Sequence, residues 1–111
     1  MTFYVYILAN YADGPMYVGH TDDIGRRAWE HREGLKPGFT RRYRIKRLVY
    51  MEPHDSRESA FERERAIKRW RREWKNNLVR SMNPHWHDLF DALNGGPAEG
   101  PGQVRFADLP G

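Results

Sequence analysis

Two short runs rich in aromatic and β-branched residues lie close together near the start of the chain. FYVYILA occupies 3–9 and MYVGH occupies 16–20. Between them NYADGP carries an Asp-Gly-Pro turn signal. Runs of this composition read as strands, so the pair predicts a hairpin with a longer loop. The first run has almost no polar positions, which predicts a strand buried on both faces. A small sheet with a buried strand needs cover from other elements, and the rest of the chain must supply it.

Asp22 or Asp23 can cap a helix running to about Glu33, with Gly34 ending it. LKPGFTRRYRIK is then a basic, irregular connection, and LVYME at 48–52 reads as a third strand stopped by Pro53. Asp55 and Glu58 form a candidate capping box for a helix over about 56–70. RREWKNNLVRSM extends that helix or forms another, and NPHWHDLFDAL reads as a loop with a short final helix. The order β-β-α-β-α-α predicts an α+β fold: a small, three-stranded, mainly antiparallel sheet flanked by helices. Residues 1–92 are expected to form one domain. Residues 93–111, rich in Gly and Pro without periodicity, are expected to form a flexible tail.

The chain has 111 residues and no cysteine, which excludes a disulfide framework and cysteine-ligated zinc. It has no apolar run long enough to cross a bilayer, and its start lacks the pattern of a secretory signal. A cytoplasmic protein is the expectation. Residues 26–80 hold 18 of the 19 Lys and Arg against 8 acidic residues, a net of +10, while each flank is near −3. Cationic charge concentrated in one segment points to a polyanionic partner, nucleic acid first.

Helical periodicity separates neighbours that look alike in the sequence. On the first helix Ile24, Ala28, His31 and Leu35 share a stripe, with Arg27 at its edge and Arg26 turned away. On the second, Ala60, Ile67, Trp70, Trp74 and Leu78 share a stripe. Glu64 lies close to it and Glu62 lies opposite. A carboxylate leaning towards a core needs a cation or donors to meet it. For Glu64 that leaves two readings, a salt bridge to Lys68 or an arginine, and a metal ligand or catalytic carboxylate. On the strands, Tyr4, Tyr6 and Leu8 share one face, and Tyr17 and Gly19 share another. Gly19 leaves room for a close approach. His20 and His54 carry no supporting pattern, and His85 and His87 lack a third metal ligand nearby.

In this order, these residues resemble the GIY-YIG endonuclease domain. Its two tripeptides appear as Tyr4-Val5-Tyr6 and Tyr17-Val18-Gly19, with Tyr4 in place of the first glycine. The family's arginine falls on Arg27, its frequent histidine on His31 and its metal-binding glutamate on Glu64. TRRYRIKRLVYME at 40–52 matches small single-domain members, with Tyr43 as a third tyrosine. Their NPxWxDL appears as Asn83, Pro84, Trp86, Asp88 and Leu89. The resemblance covers about residues 3–90.

The resemblance implies a metal-dependent endonuclease acting on DNA. Tyr6 would activate or orient the attacking water, Tyr17 would help place water or phosphate, and Arg27 would clamp the scissile phosphate. His31 would assist proton transfer or support Arg27. Glu64 would hold a single divalent ion, Mg²⁺ or Mn²⁺, which suits an oxygen ligand and retained waters. Gly19, Arg41, Tyr43, Lys46 and Lys68 are the substrate-binding candidates. A tyrosine base ordinarily titrates near about 10, so cationic charge from the ion, Arg27 or Lys46 would have to lower it. Members of the family serve in repair, restriction, intron homing and recombination. Two other readings stand beside the enzyme: a nucleic-acid-binding module of the same fold without cleavage, and a structural protein in which Glu64 makes only a salt bridge. A dimer would bring two sites to two strands, and the sequence names no interface for one.

Overall fold

The computed structural model describes residues 1–35, 38 and 42–90. Strand β1 (Phe3–Ala9) lies at the centre of a three-stranded antiparallel sheet, between β2 (Met16–Thr21) and β3 (Leu48–His54). Helix α1 (Ile24–Arg32) follows β2, and α2 (Arg57–Arg69) and α3 (Arg72–Met82) follow β3. The α+β architecture is the one expected. The expected tail at 93–111 lies outside the described residues.

Both faces of β1 are covered, which explains its apolar sequence. On one face Tyr6, Leu8 and Met51 pack with Ile24 and Ala28 of α1 and with Ile45 and Leu89. On the other, Val5, Ile7, Val18 and Val49 pack with Ala60 and Ile67 of α2, Val79 of α3 and Trp86. A register shift pairs Ile7 with Tyr50 but Leu8 with Leu48, so Val49 is the extra residue of a bulge.

Several boundaries differ from the sequence reading. Strand β3 runs through Pro53, which pairs with Tyr4, and ends at His54. An edge strand tolerates this because an outward N–H is not needed in the ladder. Asp23, not Asp22, caps α1, its Oδ1 accepting from Arg26 N at 3.1 Å. Ser56, not Asp55, caps α2, its Oγ accepting from Ser59 N at 3.1 Å. The chain leaves helical geometry at Trp70, whose ψ is 153°, and α3 starts afresh. That break rotates the predicted second stripe out of phase. Ala60 and Ile67 are buried, but Trp74 is exposed, as is Leu35 beyond the end of α1. Within the C-terminal segment, the buried Asn83 donates from Nδ2 to the carbonyls of Val49 and His87 and accepts from His87 N. Asp88 Oδ1 accepts from Leu48 N at 3.1 Å. These bonds fasten 83–90 to β3.

Candidate active site

The antiparallel register sets Tyr6 of the central strand opposite Gly19 of edge strand β2. Side chains alternate along a strand, so Tyr17 and Gly19 face α1 with Tyr6, while His20 faces α2. Helix α1 brings His31 to the same face. The hydroxyl of Tyr6 lies 3.3 Å from His31 Nε2, in buried surroundings. The rings of Tyr6 and Tyr17 are 6.2 Å apart, and those of Tyr17 and His31 are 5.4 Å apart. Gly19 is required for this packing. A Cβ there would stand 2.7 Å from the Tyr6 hydroxyl oxygen, 2.8 Å from its Cζ and 3.0 Å from Tyr17 Cε2.

Arg27 lies at the edge of the α1 stripe, half-buried, with its Nε 3.3 Å from Glu30 Oε1. Glu64 lies on the inward side of α2, and its side chain is 11% exposed. Two groups meet its carboxylate: His20 Nδ1 at 2.7 Å on Oε1 and Lys68 Nζ at 2.7 Å on Oε2. The ion pair that the i, i+4 spacing allows therefore forms, and it shares Glu64 with a histidine from β2. Sequence reading missed His20. Strand alternation places it on the α2 side, but nothing in the sequence pairs it with a residue 44 positions away.

Burial pushes the Tyr6 hydroxyl well above the ordinary tyrosine range. Tyr17 and the charge of Glu64 push the same way, and Arg27 opposes them. The arginine expected to lower Tyr6 acts in that direction, but desolvation outweighs it.

The other sequence-derived candidates sit elsewhere. Tyr43 and Lys46 belong to the 42–47 connection, which is tied to the C-terminal end of β1. There Asn10 donates to Arg44 O at 2.6 Å and accepts from Lys46 N at 2.9 Å. Both side chains are exposed. Arg41 lies outside the described residues. A second polar cluster, unforeseen in the sequence, joins β3 to α2. Glu52 accepts from Tyr50 at 2.6 Å and Arg63 at 3.1 Å, and lies 2.6 Å from His54 Nε2. His54 Nδ1 lies 2.6 Å from Ser59 Oγ.

Among the described residues no group of three His, Cys, Asp or Glu is gathered to hold a metal. The one site residue with the chemistry of a hard-cation ligand is Glu64. A single carboxylate fits an ion that keeps most of its waters, as Mg²⁺ does. No described helix is long and apolar enough to cross a membrane.

The chain is similar to several known proteins. The chain is 40% identical over 76 residues to a UPF0213 protein of Haloquadratum walsbyi, covering 68% of this chain and 84% of that one. A UPF0213 protein of Staphylococcus saprophyticus is 36% identical over 76 residues, 68% of this chain and 92% of its own. The solution NMR structure of a UPF0213 protein from Bacillus halodurans, 33% identical, covers 82% of this chain and 96% of its own, with a TM-score of 0.50. The GIY-YIG catalytic domain profile matches residues 2–77, with both tyrosines, Arg27, His31 and Glu64 inside the match, and the chain belongs to the GIY-YIG nuclease family.

Proposed function

We propose that this protein is a metal-dependent endonuclease that hydrolyses phosphodiester bonds in DNA. The observation that carries the reading is the Tyr6 hydroxyl. It meets His31 at 3.3 Å and lies in the opposed fields of Arg27 and Glu64. A buried hydroxyl that feels both a cation and a carboxylate suits a phosphate: the cation neutralises its charge and the carboxylate can hold a divalent ion.

In this reading Tyr6 stays protonated and positions the attacking water, with Tyr17 beside it. His31, in hydrogen-bond reach of Tyr6, is the group that accepts the proton the water loses. Arg27 exchanges Glu30 for the scissile phosphate and stabilises the charge that develops on it. Glu64 would hold Mg²⁺ or Mn²⁺, and that ion would supply charge neutralisation at the leaving oxygen. The attacking oxygen forms a bond to phosphorus as the phosphorus–leaving-oxygen bond breaks, and the leaving oxygen takes its proton from solvent. Lys68 would be displaced by an ion held by Glu64, and its ammonium would then be free to meet a neighbouring phosphate.

The test is cleavage of supercoiled plasmid and branched oligonucleotides with Mg²⁺ or Mn²⁺, against EDTA and Glu64→Ala. Nicking is expected in the wild type and absent in both controls. Arg27→Ala is expected to lower the rate about a hundredfold. Nicking that survives Glu64→Ala overturns the assignment of the ligand. Salt-sensitive binding without cleavage by the wild type points instead to a binding module.

A further inference from the structure

Phe61 is a large apolar side chain left 44% exposed on α2, one helical turn before Glu64. Its ring meets that of His20 at 5.7 Å and 67°, and His20 in turn touches Glu64. Phe61 is thus linked to the carboxylate through a single residue. The guanidinium of Arg65 lies over one face of the Phe61 ring, 5.5 Å from its centroid, which leaves the other face for a base. Phe61, Glu64, Arg65 and Lys68 recur at i, i+3, i+4 and i+7, so they form one stripe along the helix. Arg65 and Lys68 are exposed. The stripe places an aromatic ring, a carboxylate and two cations within about 10 Å along the axis.

Exposed phenylalanine flanked by cations matches the way proteins hold unpaired nucleotides, with a base on the ring and phosphates on the cations. Bases inside an intact duplex are covered by their neighbours and present no face to a ring. Resting on the nuclease reading above, we infer that Phe61 is a base-stacking platform. The substrate class it selects is DNA with an unpaired nucleotide beside the scissile phosphate, such as a bulge, flap or single strand. Arg65 holds a flanking phosphate. Phe61 would therefore set substrate preference and stand apart from the bond-breaking groups.

The test measures binding in EDTA, so it does not depend on cleavage. Fluorescence anisotropy compares a paired duplex, the same duplex with one unpaired nucleotide, and a short oligothymidine at fixed salt. The wild type is expected to favour the two unpaired probes. Phe61→Leu keeps an apolar side chain but removes the π-face, and is expected to weaken binding of those probes about tenfold while leaving the duplex nearly unchanged. Phe61→Tyr is expected to restore them. Thermal melting checks that each variant is folded. Equal losses on all probes, or none, overturn the platform and leave the nuclease reading standing. No binding to any probe overturns the platform and, with it, the nucleic-acid partner itself.

Discussion

At the residue scale, the site depends on an absent side chain as much as on those present. Gly19 lets the Tyr6 hydroxyl and the Tyr17 ring close over the edge strand. Tyr6 is 1% exposed, so its ring cannot swing away from an added methyl group. Gly19→Ala is expected to displace Tyr6 from His31 and lower cleavage at least about tenfold, with a stability loss of about 1–3 kcal/mol from overpacking. Thermal melting and nicking rates of Gly19→Ala, Tyr6→Phe and the double variant check this. Tyr6→Phe removes the nearest atom but keeps Cζ at 2.8 Å, so the double variant should recover part of the loss and melt somewhat above Gly19→Ala. An additive cycle would show that the two positions do not meet. Strand alternation set Tyr17 with Gly19 and Tyr6 with Tyr4 on their faces, and the family resemblance singled out Tyr6 and Tyr17. It did not mark His20, because only folding brings β2 against α2.

At the element scale, the Glu52 cluster fastens edge strand β3 to α2, the helix that carries Glu64. Burial alone would raise the Glu52 carboxyl, but hydrogen bonds from Tyr50, His54 and Arg63 outweigh it and hold the group below its ordinary 4.5. The folded value is depressed, so the stabilisation is present above about the unfolded value and is lost as pH falls through the folded value. Urea midpoints of wild type and Glu52→Gln should differ by a constant amount from neutral pH down to about 5 and converge below that. A gap that persists at the acid end would mean that the carboxylate charge is not what fastens β3 to α2. The break at Trp70 belongs to the same scale. A single continuous helix would have buried Trp74, and periodicity read across the break could not reveal it. The local cause is a residue with ψ of 153° at the junction, followed by a helix with no side-chain cap.

At the scale of the whole molecule, cationic charge concentrates in residues 26–80, and part of it is already spent on internal pairs. Arg63 faces Glu52, Lys68 faces Glu64, and Arg26 and Arg27 share Glu30. Binding to DNA should therefore fall steeply with salt while using fewer contacts than the charge count suggests. A plot of log affinity against log salt is expected to have a slope of about −2 to −4, each neutralised phosphate contributing about −0.9. A flat plot would exclude a phosphate-dominated interface. The β1–β2 hairpin is held from the far side, where Arg72 Nη1 donates to the carbonyls of Asp13 and Gly14 at 2.8 and 2.7 Å.

The sequence by itself determined the three strands and first two helices, their order, the two-sided burial of β1, and the inward lean of Arg27, His31 and Glu64. Each of these follows from a local period or a local cap, which a linear chain displays directly. Tertiary structure alone decided that His20 joins Lys68 at Glu64 and that Arg63 joins Tyr50 and His54 at Glu52. It also decided that burial raises the Tyr6 hydroxyl by more than Arg27 lowers it. Those outcomes depend on distances between segments far apart in the chain, and on the loss of water around a buried group. Neither quantity is carried by residue order, because desolvation and through-space charge are set only when the sheet and its helices close.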